Sequence, residues 1–160
     1  MGYEIERKFL VKGDYKPHTF KSLTIRQGYL SRSGACTVRI RTGGGKAFIT
    51  VKSALTEGES KIKRHEWEYG IPAEDATEML LLCEGAVVEK TRHLVRYGGH
   101  LFEVDEFSGD NEGLVIAEIE LEDEDEPFDR PEWLGDEVTG MARYYNSYLS
   151  GHPYKEWSNQ

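Results

Sequence analysis

Long apolar runs and paired cysteines are the first things this sequence lacks. Its apolar runs, such as residues 79–83, are far shorter than the roughly 20 residues that a helix needs to span a bilayer. Nothing near the N-terminus resembles a signal peptide, and the two cysteines, Cys36 and Cys83, lie at no metal-binding spacing. We therefore expect a cytoplasmic protein with reduced thiols and no membrane partner.

Net positive charge is also absent, because acidic residues outnumber basic ones. The chain has 29 acidic and 20 basic residues, which gives a formal net charge of -9. A protein that coats DNA or RNA needs a basic face for the phosphates, so this balance disfavours a nucleic-acid partner. A local cationic pocket remains compatible with it, and the positions of the Lys and Arg residues therefore matter more than their total.

The sequence contains no low-complexity linker and no internal repeat, which indicates one domain over residues 1–160. Glycine-rich turns separate segments rich in Val, Ile, Thr and aromatic residues, and such segments are typical of β-strands. The Gly-Gly turns at 43–45 and 98–99 indicate tight hairpins between antiparallel neighbours. We predict strands near residues 3–11, 23–32, 35–42, 46–53, 62–71, 86–97, 100–107 and 114–122.

Two segments have the pattern of helices. Pro72 opens a helix-forming run that continues to Leu82. A second helix is predicted from about Arg130 or Glu137 to Leu149, where apolar and aromatic residues recur at helical spacing. We interpret the aromatic residues of this second segment as core packing.

Charged residues alternate with apolar ones along most of the predicted strands. Because successive side chains of a strand point to opposite faces, each strand would present its charges on one face. Charges of one sign also tend to share a strand. The acidic positions are Glu4, Glu6, Glu66, Glu68, Glu103, Asp105, Glu118 and Glu120, and the basic positions are Lys8, Arg39, Arg41, Lys52, Lys90 and Arg92.

This alternation has two interpretations. An open antiparallel sheet with one solvated face is common in small proteins and would suit an interaction role. Alternatively, eight strands suffice to close a barrel without exposed edges, with the charges turned inward. Because the charges separate by strand, we predict the second arrangement: an α+β, mainly β fold, built on an eight-stranded antiparallel closed barrel with a charged lumen and a few packing helices.

A lumen of this composition indicates a specific kind of ligand. Ionised groups removed from water cost several kcal/mol each unless they are paired or meet a ligand of opposite charge. Carboxylates suit hard divalent cations, and Arg and Lys suit phosphate oxygens. The sequence offers no competing chemistry, because Gly43–Lys46 lacks P-loop spacing and the five histidines are scattered. The pattern therefore predicts a site for a metal-bound polyphosphate.

The same residues resemble a known family. Residues 3–11, YEIERKFLV, resemble the N-terminal ExExK signature of the CYTH, or triphosphate tunnel metalloenzyme, superfamily. The C-terminal residues 133–149 are similar to the end of short bacterial members. The remaining motifs follow in the order of the family: Arg39–Arg41, Thr50–Lys52, Glu66–Glu68, Lys90–Arg92, Glu103–Asp105 and Glu118–Glu120.

This resemblance implies a tunnel that hydrolyses or rearranges triphosphates with Mg²⁺ or Mn²⁺. It implies metal ligands at Glu4, Glu6, Glu118 and Glu120. It implies phosphate-binding cations at Lys8, Arg39, Arg41, Lys52 and Arg92. Catalytic roles are implied for Lys90, at the scissile phosphate or leaving group, and for Glu68 and Asp105, which would hold a second metal or orient water. Tyr29 resembles a tyrosine that caps one tunnel end, although packing at a strand end would explain it equally well.

We expect the substrate to be inorganic triphosphate, cleaved to phosphate and pyrophosphate, because the chain shows no feature for recognising a base. Thiamine or nucleoside triphosphate hydrolysis and class IV adenylyl cyclase activity are alternatives within the family. A non-catalytic polyphosphate- or nucleotide-binding module is an alternative of another class. The expected partner is a triphosphate-containing small molecule. The oligomeric state is left open, and a homodimer is one option.

Overall fold

The computed structural model describes residues 2–32, 36–53 and 63–157. Its strands are β1 (Gly2–Val11), β2 (Thr19–Ser31), β3 (Cys36–Gly43), β4 (Lys46–Ser53), β5 (Lys63–Gly70), β6 (Glu84–Tyr97), β7 (His100–Phe107), β8 (Val115–Leu121) and β9 (Leu134–Glu137). Its α-helices are α1 (Ala73–Leu80) and α2 (Asn146–Leu149). Short 3-10 helices lie at Lys16–His18, Gly109–Asn111, Ala142–Tyr144 and Tyr154–Glu156.

The first eight strands form a closed antiparallel barrel. Their order around it is β1-β5-β4-β3-β2-β6-β7-β8, and β8 pairs with β1 again. Closure joins β1 to β5, with Glu4 opposite Arg64 in the register. The predicted eight-stranded closed barrel is therefore confirmed, and β9 adds a short ninth strand along β1 that the sequence did not predict. The predicted strand residues 35 and 62 lie outside the described part of the chain.

The two helix predictions had different outcomes. The first helix is confirmed, although it spans only Ala73–Leu80. The second is wrong for most of its length, because residues 134–137 form β9 and α2 covers only Asn146–Leu149. Two glycines explain the difference: Gly135 lies so close to β1 that a Cβ would be 2.9 Å from the Leu10 carbonyl oxygen, and Gly140 adopts a φ of 80°, which ends regular structure.

The apolar sides of the strands face outward and are covered by other parts of the chain. One core, which includes Phe9, Phe102 and Ile119, packs against Trp133 and Tyr15 from the connecting segments. A second core lies under α1 and joins Ile40 and Ala47 to Ala76 and Leu80. Within the described part of the chain, none of the helices has the length and apolar character needed to cross a bilayer.

A third core closes one end of the barrel. Val88, Phe107 and Ile116 share the inward phase of the charged positions on their strands, and they pack against Tyr144 and Leu149 from the C-terminal segment. The backbone N–H of residue 86 donates to the carbonyl oxygen of residue 150 at 2.7 Å. The C-terminal segment therefore plugs this end of the lumen.

The close approach of Gly85 to the C-terminal segment makes the plug testable. Gly85 has a φ of 70°, and a Cβ there would overlap the Ser150 carbonyl oxygen. Gly99 has a φ of 82° with nothing near its Cβ position. We expect Gly99→Ala to cost about 1–2 kcal/mol for its backbone conformation, and Gly85→Ala to cost ~1–3 kcal/mol more from overlap. Urea unfolding measures both, and equal costs would contradict the proposed plug contact.

Candidate active site

Barrel closure divides the lumen into two chemically distinct halves. The strands that carry most of the carboxylates, β7, β8, β1 and β5, are neighbours around the barrel. The strands with the clustered cations, β4, β3 and β6, lie in the other half together with β2. Because each half has four of the eight strands, an acidic wall faces a basic wall.

The two walls enclose a cavity of about 180 Å³. All of the predicted site residues line it except Lys90 and Asp105. Its charged lining consists of Glu4, Glu6, Lys8, Arg39, Arg41, Lys52, Arg64, Glu66, Glu68, Arg92, Glu103, Glu118 and Glu120. Its uncharged lining consists of Tyr29, Thr37, Thr50, Tyr145, Asn146 and Ser147. The structure thus brings the predicted carboxylates and cations to one enclosed space.

Lys90 and Asp105 lie behind this lining, buried in the barrel wall. The Lys90 ammonium is 2.7 Å from Asp105 Oδ2 and donates to Asn146 Oδ1 at 3.0 Å. Arg92 donates to both Asp105 oxygens, at 2.8 and 2.9 Å. Although burial opposes ionisation, Arg92 and Lys90 hold the pKa of Asp105 at about 2. Burial, assisted by Arg92 and Arg41, lowers the pKa of Lys90 to about 7.

The acidic wall carries more negative charge than its lysines compensate. Lys52 donates to both oxygens of Glu4, at 2.8 and 3.0 Å, and Lys8 pairs with Glu118. Glu6 lies 3.8 Å from the Lys8 ammonium, but burial together with Glu118 and Glu4 still raises the pKa of Glu6 to about 8.

The composition of this wall fits a divalent cation, because its donors are all carboxylate oxygens, and the raised pKa of Glu6 reflects burial together with the negative charge of Glu118 and Glu4 beside it. Among residues 2–32, 36–53 and 63–157, no three Asp, Glu, His or Cys side chains converge closely enough to hold an ion as they stand. Lys52 and Lys8 occupy oxygens of Glu4 and Glu118 in this arrangement. The donor chemistry fits a metal, and a bound ion would take the place of a lysine partner.

The basic wall shows the opposite surplus. Burial, with the nearby charges of Arg39 and Arg92, lowers the pKa of Arg41 to about 9. Arg41 donates to the Gln27 amide oxygen at 2.9 Å, and it forms no ion pair within the described part of the chain. Arg39 contacts Thr50 at 3.2 Å and lies 3.6 Å from a Glu68 oxygen. Crowded guanidinium groups of this kind are suited to bind phosphate oxygens.

Sequence reasoning missed the part of the lining that comes from the C-terminal segment. Tyr145, Asn146 and Ser147 reach the cavity, and the Lys8 ammonium lies 4.6 Å from the centre of the Tyr145 ring. The helical spacing of its apolar residues predicts helix and core packing for this segment. No local signal distinguishes the two outcomes, since the segment enters the barrel through tertiary packing. Arg64 is another residue that sequence reasoning missed, because its place in the lumen depends on the β1–β5 closure.

Comparisons with known proteins agree with this architecture. A family model for the CYTH domain matches residues 2–145. An inorganic triphosphatase of Acetivibrio thermocellus is 48% identical over 158 residues, which cover 98% of this chain and 99% of that protein. An inorganic triphosphatase of Nitrosomonas europaea is 38% identical over 154 residues, covering 92% and 96%. A crystal structure of an inorganic triphosphatase superposes with a TM-score of 0.62 at 35% identity, covering 92% of this chain and 97% of that one.

The buried pairing of Asp105 leads to a stability prediction. Asp105→Ala would leave Lys90 and Arg92 buried without their shared carboxylate, and we expect a cost of about 3–5 kcal/mol. Glu103 is the matched control, because it lies on the same strand and 3.3 Å from Arg92 but is 35% exposed at its side chain. Glu103→Ala should cost less than about 1 kcal/mol. Urea unfolding at pH 7.5 measures both, and similar costs would contradict the description of Asp105 as a structural partner of two cations.

Proposed function

The chain belongs to the CYTH family, and from this premise we propose that it is a metal-dependent triphosphatase that hydrolyses inorganic triphosphate to phosphate and pyrophosphate. One observation carries the proposal: a single enclosed lumen has a surplus of cations on one wall and a surplus of carboxylates on the other. A metal triphosphate complex has the matching distribution of charge. The names of the two relatives support the same substrate.

The basic wall supplies the proposed phosphate site. Arg39, Arg41 and Arg92 bring planar groups that can each donate two hydrogen bonds to phosphate oxygens. Lys52 and Lys8 add point charges at the border with the acidic wall. When substrate binds, each ammonium would change its partner from a Glu carboxylate to a phosphate oxygen. Tyr29 lies on β2 between these groups and adds a phenol donor. Together these residues orient the substrate and neutralise charge on the pyrophosphate leaving group.

The acidic wall supplies the proposed metal site. Glu4, Glu6, Glu118 and Glu120 would hold the cation, for which we propose Mg²⁺ or Mn²⁺ because the donors are carboxylates. When bound, such a cation neutralises phosphate charge and lowers the pKa of a coordinated water. Asp105 is not assigned to a metal, since Arg92 and Lys90 occupy both of its oxygens.

The hydrolytic step forms a bond from a water oxygen to the terminal phosphorus and breaks the bridging P–O bond opposite to it. We assign the orientation of this water to Glu68, whose carboxylate accepts a hydrogen bond from Thr50 at 2.8 Å and remains 43% exposed. Lys90 lies behind Arg92 and Asp105, so its proposed contribution is to hold Asp105, the partner of Arg92, in place. Most of the rate enhancement would then come from positioning and electrostatics.

The uncharged lining favours an unsubstituted triphosphate over a nucleotide. Tyr29 and Tyr145 are the only aromatic residues on the described cavity wall, and no aliphatic side chain lines it. A nucleoside base binds through stacking and apolar contact, for which this wall offers little area.

We further propose a cytoplasmic location, since Cys36 and Cys83 are both free. We also propose that the protein acts on a small molecule rather than on nucleic acid or a membrane. The homodimer stays a prediction.

A product-resolved screen tests the proposed reaction. Purified protein is incubated with tripolyphosphate, ATP or thiamine triphosphate, with Mg²⁺ or Mn²⁺, and the products are separated. We expect tripolyphosphate to give phosphate and pyrophosphate in equal amounts and with the highest kcat/KM. Formation of cyclic AMP with pyrophosphate from ATP would instead identify a cyclase, and no turnover of any substrate would identify a binding module.

The metal assignment is tested by substitution of an acidic residue that has no salt bridge within the described chain. Glu120 lines the cavity, and burial together with Glu4 and Glu66 raises its pKa. We expect Glu120→Gln to fold normally but to lower kcat/KM by at least about 10- to 100-fold and to raise the metal concentration needed for half-maximal activity. Glu89→Gln is the control, because Glu89 pairs with Arg26 and is half exposed. Equal activity of the two variants would contradict the assignment.

A further inference from the structure

The C-terminal segment forms a part of the lumen wall to which the mechanism above gives no role. Tyr145, Asn146 and Ser147 line the cavity where α2 begins. The segment is held on both sides, because the Gly140 N–H donates to the Tyr145 hydroxyl at 2.9 Å and the Ala86 N–H donates to a carbonyl beyond α2 at 2.7 Å. Its position in the lumen is therefore fixed by the fold.

Asn146 connects this wall to the buried lysine behind it. The Lys90 ammonium donates to Asn146 Oδ1 at 3.0 Å. With Lys90 as the donor, the amide oxygen of Asn146 faces it, and this assigns the orientation of the amide. Asn146 lines the cavity whereas Lys90 does not. The side chain thus lies between the buried cation and the lumen, with its Nδ2 hydrogens on the side away from Lys90.

We propose that Asn146 is a substrate-binding residue, which orients Lys90 through Oδ1 and donates a hydrogen bond from Nδ2 to a phosphate oxygen. This inference rests on the proposed function. A neutral donor suits this place, because it binds an anion without adding charge beside Arg92 and Arg41, which already lower the pKa of Lys90.

The two roles of the amide can be separated by substitution. Asn146→Asp keeps an acceptor for Lys90 but replaces the Nδ2 donor with a second, negatively charged oxygen. Asn146→Ala removes both. Lys90 also forms an ion pair with Asp105, which in turn binds Arg92, so the alanine variant additionally loosens Lys90.

Isothermal titration calorimetry with tripolyphosphate in EDTA tests the donor role without turnover, and thermal unfolding of the free variants monitors folding. We expect both variants to bind tripolyphosphate at least about ten-fold more weakly than the wild type, because Asn146→Ala loses a hydrogen bond to a charged group and Asn146→Asp in addition repels the anion. Asn146→Asp should keep a Tm close to that of the wild type.

Asn111→Asp is the matched control. Asn111 accepts a hydrogen bond from the Tyr154 N–H at 2.8 Å and anchors the same segment outside the lumen. The Kd of this control variant for tripolyphosphate should equal that of the wild type.

The remaining outcomes contradict the inference or separate it from the proposed function. Wild-type affinity in Asn146→Asp would overturn the donor role, whatever its Tm. If Asn111→Asp weakens tripolyphosphate binding as much as the Asn146 variants do, only the placement of the segment matters. That result would also overturn the donor role of Asn146. Wild-type protein that binds tripolyphosphate but does not hydrolyse it with Mg²⁺ or Mn²⁺ would overturn the proposed function alone. Absence of binding by the wild type would overturn this inference together with the phosphate site on the basic wall.

Discussion

Ionised side chains enclosed in a barrel are tolerable only when opposite charges face one another, and the rest of this structure depends on that constraint. Lys52 with Glu4, Lys8 with Glu118 and Arg92 with Asp105 meet it directly. Pairing is incomplete on both walls, however. The pKa of Glu6 is raised on the acidic wall and that of Arg41 is lowered on the basic wall. Each wall therefore has a surplus that a ligand of opposite charge would relieve, and this is the physical basis of the proposed site.

A charged interior reverses the usual layering of a small protein. The apolar faces of the strands point outward and need covers, which the chain provides with α1, with the segment around Trp133 and with the segment around Tyr15. The C-terminal segment covers an apolar rim at one end and so closes the lumen there. Stability thus comes largely from the outside of the barrel. The charged residues of the lumen can therefore serve ligand binding, while the apolar residues outside the barrel serve folding.

Sequence patterns predicted the features that depend on strand phase. Glu4, Glu6 and Lys8 lie on one face because successive side chains alternate, and the same rule placed Glu118 and Glu120 inward. Patterns could not predict which strands become neighbours. The pairing of β1 with β5, which completes the acidic wall, depends on closure of the whole sheet. Local spacing also failed near the C-terminus, where the close approach of Gly135 to β1 and the positive φ of Gly140 outweighed a helical pattern.

A crystal structure with Mn²⁺ and a non-hydrolysable triphosphate analogue tests the division of the lumen most directly, because anomalous scattering locates manganese independently of the phosphates. The surplus of carboxylates predicts that manganese is coordinated by Glu4, Glu6 and Glu118. The surplus of cations predicts that the phosphate oxygens are bound by Arg39, Arg41 and Arg92. Manganese remote from these carboxylates, or an analogue bound outside the barrel, would contradict the claim that the two walls form one site for a metal triphosphate.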